Sequence, residues 1–194
     1  MRLFVALDIP AETRDALASL VARLKPKCPS AGWIRPEAMH VTLKFIGHTP
    51  PENLSRINEI LAMPRSTKAI EMQFRGLGFF PNEKRPRVFW CGVEASPNAA
   101  ILASDLNQAL TKIGIEAEAR SFTPHLTLAR FKEGNGRGNQ VDSGIEIVTL
   151  AREMHAKDFG SMRASEFHLF ESKTKPTGAD YTKLSTFHFT EAAS

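Results

Sequence analysis

The chain of 194 residues contains no run of 18 apolar residues, so no membrane-spanning helix is expected. Its opening apolar stretch, Leu3 to Leu7, is cut short by Asp8 and lacks a small-residue cleavage site, so no secretory signal is expected. Cysteine is scarce. Cys28 and Cys91 are too few for a disulfide framework and do not have metal-binding spacing. These absences together point to a cytoplasmic protein. No G-x-x-x-x-G-K-[ST] sequence occurs. The glycine-rich stretch Gly134-Asn135-Gly136-Arg137-Gly138 lacks the Lys-Ser/Thr ending of a phosphate-binding loop and reads as a flexible connection. Strong charge imbalance is also missing. Twenty-five Lys and Arg stand against 21 Asp and Glu, a net charge of +4. That favours an anionic substrate by steering but is too weak to identify a nucleic-acid binder.

Apolar residues make up 42% and charged residues 24%, as in an ordinary globular domain with a sizeable core. Leu3 to Ile9 has strand length. Pro10 then opens a helical pattern from Ala11 to Leu24 with Leu17, Leu20, Val21 and Leu24 on one face. A short strand at Trp33-Ile34-Arg35 and a strand from His40 to Ile46 follow. A helix is expected from Pro50 to about Leu61. Strand character returns at Ile70 to Phe80 and at Arg87 to Val93. Helices are expected at Ala99 to Ile113 and Ile145 to about His155, separated by a strand from Phe122 to Phe131. Two final strands are read at Phe159 to Phe170 and Tyr181 to Phe189, with turn-rich sequence between them.

The most informative feature is a repeated motif. His40-Val41-Thr42-Leu43 and His125-Leu126-Thr127-Leu128 share the pattern His-x-Thr-Leu, 85 positions apart (125 − 40). With 6 His, 13 Thr and 17 Leu, two such matches arise by composition on the order of once in 2,000 chains. The strand, helix, motif-strand order also occurs twice. Arg2 to His40 and Arg87 to His125 both span 38 positions (40 − 2 and 125 − 87). This predicts an internal duplication, a single domain over residues 1–194 built from two lobes related by a pseudo-two-fold axis.

Along a strand, residues i and i+2 share a face. His40 and Thr42 therefore face one way, as do His125 and Thr127, while Val41, Leu43 and Phe45 face the other, with Leu126 and Leu128. If the lobes oppose each other, the four polar side chains line one cleft. Such a set suits in-line displacement at phosphorus. A neutral imidazole takes a proton from water, an opposed imidazolium gives one to the leaving oxygen, and threonine hydroxyls donate to the non-bridging oxygens. No step requires a metal or other cofactor, and no carboxylate lies near either motif in the sequence. Symmetry leaves open which histidine is acid and which is base. His48, His155, His168 and His188 read as surface or packing residues.

The two motifs resemble those of the 2H phosphoesterase superfamily. Within it the chain is similar to the RNA 2′,3′-cyclic phosphodiesterase family, also called 2′-5′ RNA ligase. The likeness extends to Arg2-Leu3-Phe4-Val5-Ala6-Leu7, Trp33-Ile34, His40 to Gly47, Gly76 to Phe80, Pro86 to Trp90, Phe122 to Arg130, Asp158-Phe159-Gly160 and Tyr181-Thr182-Lys183-Leu184. It implies an α+β fold, bilobal, with antiparallel sheets flanking a central cleft and helices outside. It further implies hydrolysis of terminal 2′,3′-cyclic phosphates on RNA, or of a small cyclic nucleotide, to 2′-phosphates, by a monomer that needs no cofactor, metal or membrane. The resemblance makes His40 the proton donor to the 3′-oxygen and His125 the proton acceptor. Thr42 and Thr127 bind phosphate, and Arg130 resembles a family arginine that contacts it. Strict alternation points Arg130 away from His125, five residues earlier, so its role requires a bulge near Ala129. Lys84, Arg85, Arg87, Lys132 and Arg137 are candidates for guiding an RNA backbone. Any ligation would be ATP-independent. Two other readings are an RNA-end-binding protein without turnover, and a related phosphodiesterase for ADP-ribose cyclic phosphate or 2′-5′ oligoadenylate.

Overall fold

A computed structural model of the chain describes residues 1–63, 68–131, 140–175 and 178–189. The elements run β1 (Arg2–Leu7), α1 (Ala11–Leu24), β2 (Gly32–Trp33), β3 (Val41–His48), α2 (Leu54–Ala62), β4 (Ile70–Phe80), β5 (Val88–Ala95), α3 (Asn98–Thr111), β6 (His125–Arg130), α4 (Gln140–Glu153), β7 (Asp158–Ala164), β8 (Glu166–Lys175) and β9 (Gly178–His188). Pro10, extended at φ −62° and ψ 152°, opens α1, and Leu17, Leu20, Val21 and Leu24 are buried as their spacing requires. The glycine-rich stretch, with Lys132 and Arg137, lies outside the described residues. No described helix is long and apolar enough to cross a membrane.

The strands form an antiparallel sheet in the order β7-β4-β5-β6-β3-β1-β8-β9, with β2 paired to β6. The two motif strands meet at its centre, where Val41 pairs with Leu126. Outward from that junction each half repeats the same plan. β3 is flanked by β1, then β8 and β9; β6 is flanked by β5, then β4 and β7. One expectation is corrected. The stretch read as one strand from Phe159 to Phe170 is two, β7 and β8, at distant places in the sheet. Its near-continuous alternation hides the break at Ser165, where the chain crosses from one half to the other.

All four helices contribute to one apolar core. Leu17, Ile57, Leu106 and Ile147 join Leu3, Val5 and Leu7 of β1 and Phe74 and Phe89 of β4 and β5. Cys28 and Cys91 are buried there as free thiols. The other sheet face carries a much smaller cluster, Phe4, Ala6 and Phe170 with Tyr181 against it. One face is thus closed by helices. The opposite face holds the polar residues of both motifs.

Candidate functional site

At the junction of β3 and β6, Val41 and Leu126 are fully buried on the core side. Their neighbours must point to the opposite face. The antiparallel register of that single pair places His40 across from Thr127, and Thr42 across from His125. Each imidazole therefore stands between a threonine of its own strand and one of the partner strand.

The two histidines are held in the same way. Nδ1 of His40 lies 2.8 Å from the carbonyl oxygen of Ala38, and Nδ1 of His125 lies 2.8 Å from that of Thr123. A carbonyl only accepts, so Nδ1 carries the proton and donates in both rings. The Nε2 atoms are left for chemistry in both. Nε2 of His40 lies 3.1 Å from the Thr42 hydroxyl. The rings are also packed edgewise. Tyr181 stands at 81° to His40 with centroids 5.1 Å apart, and Phe80 stands at 90° to His125 at 4.9 Å. Phe4 lies against the His40 ring at 4.7 Å. These contacts fix each ring's plane about the bond that the backbone carbonyl already orients.

Burial and charge favour neutral imidazoles in the free protein. His40 is pushed down from 6.5 to about 4, chiefly by desolvation, with the positive charges of Arg130 and His125 acting in the same direction. The hydrogen bond to Ala38 and the negative charge of Asp8 oppose this. His125 is also lowered, first by burial and then by Arg130. An anion bound beside the rings would oppose the charge of Arg130 and favour a proton on one ring. Asp8 is a carboxylate that proximity in sequence does not place near the motifs. It is held by Lys183 at 2.5 Å and lies 3.5 Å from Nε2 of the buried His168.

A bulge places Arg130. Trp90 pairs with Thr127 and Phe89 with Ala129, so Leu128 is an extra residue in β6. Leu128 and Ala129 are consecutive and both fully buried, and Arg130 returns to the exposed face. Its positive charge pushes the pKa values of His40, His125 and Tyr181 down.

The same device recurs in β3 and corrects a second expectation. Val5 pairs with Lys44 and Ala6 with Thr42, leaving Leu43 extra. Leu43 and Lys44 are both buried, and Phe45 turns back to the motif face with half its surface exposed. Strict alternation puts Phe45 with Val41 and Leu43 instead. Lys44 can lie on the core side because its ammonium donates to the carbonyl of Glu116 at 2.6 Å. The bulges also show that Val5 corresponds to Phe89, an offset of 84 (89 − 5), against 85 for the motifs themselves. The equal 38-residue spacing is therefore shifted by one residue in structural register.

Phe4, Phe80, Asp8 and Tyr181 frame the histidines but carry no local signal of that role. Only the pairing of β1 with β3 and β8, and of β8 with β9, brings Phe4, Phe170 and Tyr181 to His40. Lys84 and Arg85 lie on the turn between β4 and β5, where their backbone N–H groups donate to the side chain of Asn82.

The chain is similar to known proteins over nearly its whole length. The profile of LigT-like phosphoesterases matches residues 7–90 and 93–179. An RNA 2′,3′-cyclic phosphodiesterase of Methanothermobacter thermautotrophicus is 32% identical over 188 residues, covering 96% of this chain and 98% of that protein. One from Thermus thermophilus is 33% identical over 199 residues, covering 96% and 89%. The crystal structure of TT0787, also from Thermus thermophilus, superposes with a TM-score of 0.79 at 28% identity, covering all of both chains. Escherichia coli LigT complexed with 3′-AMP has a TM-score of 0.75 at 24% identity, with 98% of each chain covered. The repeated His-x-Thr-Leu strands, the sheet that joins them and the match along nearly the whole chain place this protein in the LigT-like phosphoesterase family of the 2H superfamily.

Proposed function

We propose that this protein hydrolyses the 2′,3′-cyclic phosphate at RNA 3′ ends to a 2′-phosphomonoester. The observation that carries the reading is the matched pair of imidazoles. Each has Nδ1 bound to the carbonyl two residues earlier, and each presents Nε2 to the same sheet face. The full-length relatives named as RNA 2′,3′-cyclic phosphodiesterases support the substrate class.

In the proposed reaction, Nε2 of His125 takes a proton from water as the water oxygen bonds to phosphorus. The P–O3′ bond breaks in line, and Nε2 of His40 gives its proton to O3′. Phosphorus remains on O2′. Thr42, Thr127 and Arg130 hold the non-bridging oxygens and stabilise the charge that builds on them. Both proton transfers are complete within the two rings. If the 5′-hydroxyl of a second RNA replaces water, the same step forms a 2′-5′ linkage without ATP, which accounts for joining as the reverse activity.

The test uses purified protein in EDTA with a 2′,3′-cyclic-phosphate oligonucleotide and with 2′,3′-cyclic AMP. Ring opening to the 2′-phosphate is expected, with large losses in His40→Ala and His125→Ala. Tight, salt-sensitive binding with the ring intact would instead establish an RNA-end-binding protein.

A further inference from the structure

The two halves of the sheet set different residues against their motif histidines. Ala6 pairs with Thr42 and Leu7 with Val41, so the next residue of each chain sets Asp8 opposite His40. In the other half Trp90 pairs with Thr127, Cys91 with Leu126 and Gly92 with His125. Asp8 and Gly92 are thus equivalent, at the offset of 84 that relates β1 to β5 (92 − 8). His40 has a carboxylate where His125 has a residue without a side chain. The His125 half has no room for one there, because a Cβ on Gly92 would lie 2.4 Å from the carbonyl oxygen of Arg75.

The carboxylate is held in a network of its own. Asp8 Oδ2 accepts from the Lys183 ammonium at 2.5 Å and lies 3.5 Å from Nε2 of His168, a residue only 1% exposed. Lys183 Nζ lies 3.4 Å from the same nitrogen and 5.9 Å over the Phe170 ring. An ammonium only donates, so Nε2 of His168 accepts. Nδ1 then carries the proton, 3.0 Å from the Thr186 hydroxyl. Burial lowers the pKa of His168, in keeping with this neutral form. Glu166 lies 3.6 Å from His168 and bonds His188. Around His40 itself, β6 contributes the charges of Arg130 and His125, β9 the neutral Tyr181 ring edge-on at 5.1 Å, and β8 the apolar Phe170. Asp8 is the negative group in this set. It acts against burial, Arg130 and His125, all of which disfavour a charged His40. At His125 the Thr123 carbonyl opposes burial and Arg130.

We propose that Asp8 is a positioning residue, the counter-charge that lets His40 carry the proton it gives to O3′. This rests on the phosphodiesterase reading and deepens it. A buried imidazolium is costly without an opposite charge, and Asp8 supplies one on the His40 side alone. Its partner Lys183 tempers that charge and is itself held by His168. The proton on Nε2 of His40 goes to O3′ as the P–O3′ bond breaks, and Nε2 of His125 takes the proton of the attacking water. The difference between Asp8 and Gly92 thus divides two roles that the symmetry of the motifs leaves equivalent.

The experiment compares wild type, Asp8→Asn, Asp8→Glu and Lys183→Gln in turnover of 2′,3′-cyclic AMP and of its analogue with sulfur in place of O3′, which leaves without an acid. Asp8 is half exposed and Asn keeps its shape, so the variants are expected to fold, which circular dichroism checks. Asp8→Asn should shift the basic limb of kcat to lower pH, because the acid loses a negative neighbour. On that limb kcat should fall about 3- to 10-fold for the oxygen substrate and hold for the sulfur one. Asp8→Glu should recover most of the loss. Lys183→Gln, which leaves Asp8 unneutralised, should shift the limb to higher pH. Histidine NMR titrations in sodium sulfate read the same effect without turnover: Asp8→Asn should lower the His40 titration and leave that of His125 in place. Equal losses on the two substrates, an unmoved His40 titration, or His125 lowered as much as His40 would overturn the proposal. If wild type turns over neither substrate, the enzymatic reading fails, while the NMR titrations still decide whether Asp8 favours a proton on His40.

Discussion

Each motif histidine, a proposed acid or base, is fixed by backbone at Nδ1. Removing either ring should therefore remove chemistry more than structure. His40→Ala and His125→Ala are each expected to lower kcat by about 10²- to 10⁴-fold, with the double variant little worse than the poorer single one, because the rings act as a unit. A substrate with sulfur in place of O3′ needs no acid to leave, so it should rescue His40→Ala and not His125→Ala. Rescue of the reverse pattern would exchange the roles. The pH profile follows from burial. The proposed reaction requires one charged and one neutral imidazole, and both rings are pushed below 6.5 in the free protein, His40 to about 4. The basic limb of kcat/KM, where the acid loses its proton, should thus lie below pH 6.5. The basic limb of kcat should lie higher, since bound phosphate favours the imidazolium. Arg130→Ala should reduce kcat/KM by about 10- to 100-fold and move the kcat/KM basic limb upward, because a positive charge that depresses both rings is gone. Rate–pH curves for the two proteins check both statements.

At the scale of elements, the two bulges decide which residues the motif strands present. Alternation correctly assigns His40, Thr42, His125 and Thr127 to one face, and Val41 and Leu126 to the other. It fails one residue later, since a bulge inserts a second inward residue without a compositional mark. Leu128-Ala129 and Leu43-Lys44 look like ordinary strand sequence, and only the pairing with β5 and β1 reveals the extra residue. The neighbouring strands are equally constrained. Gly92 pairs with His125, and a Cβ there would lie 2.4 Å from the carbonyl oxygen of Arg75. Gly92→Ala is expected to cost about 1–3 kcal/mol in denaturant unfolding and to disturb His125. Unchanged stability would show that β4 and β5 yield more easily than their pairing suggests.

Across the whole molecule, the sheet halves touch at Val41 and Leu126, yet the core beneath them is continuous from β1 through α1, α3 and β5. The two halves of the sheet should therefore unfold together. Near- and far-ultraviolet circular dichroism should follow one superimposable transition, and two separated transitions would indicate independent lobes. Acid should weaken this state through the site. The folded pKa of His40 lies below its unfolded value of 6.5, so the unfolded chain binds more protons between them. Stability is full above pH 6.5 and declines as pH falls toward about 4, by up to about 3 kcal/mol for this group. Denaturant titrations at several pH values should give a shallower decline for His40→Asn than for wild type.

The chemistry and most of the element order are written locally in the chain. The repeated His-x-Thr-Leu words name a paired acid and base, and the period-two pattern states which side chains share a face, because both are local properties of a strand. Helix α1 is legible to the residue from Pro10 and its apolar spacing. Whatever depends on pairing between distant segments emerges only on folding. Folding splits 158–175 into strands on opposite sides of the sheet, brings Phe4, Asp8 and Tyr181 to His40, and inserts the bulges that turn Arg130 and Phe45 toward the site. Those outcomes follow from the register of neighbouring strands, which no single strand encodes alone.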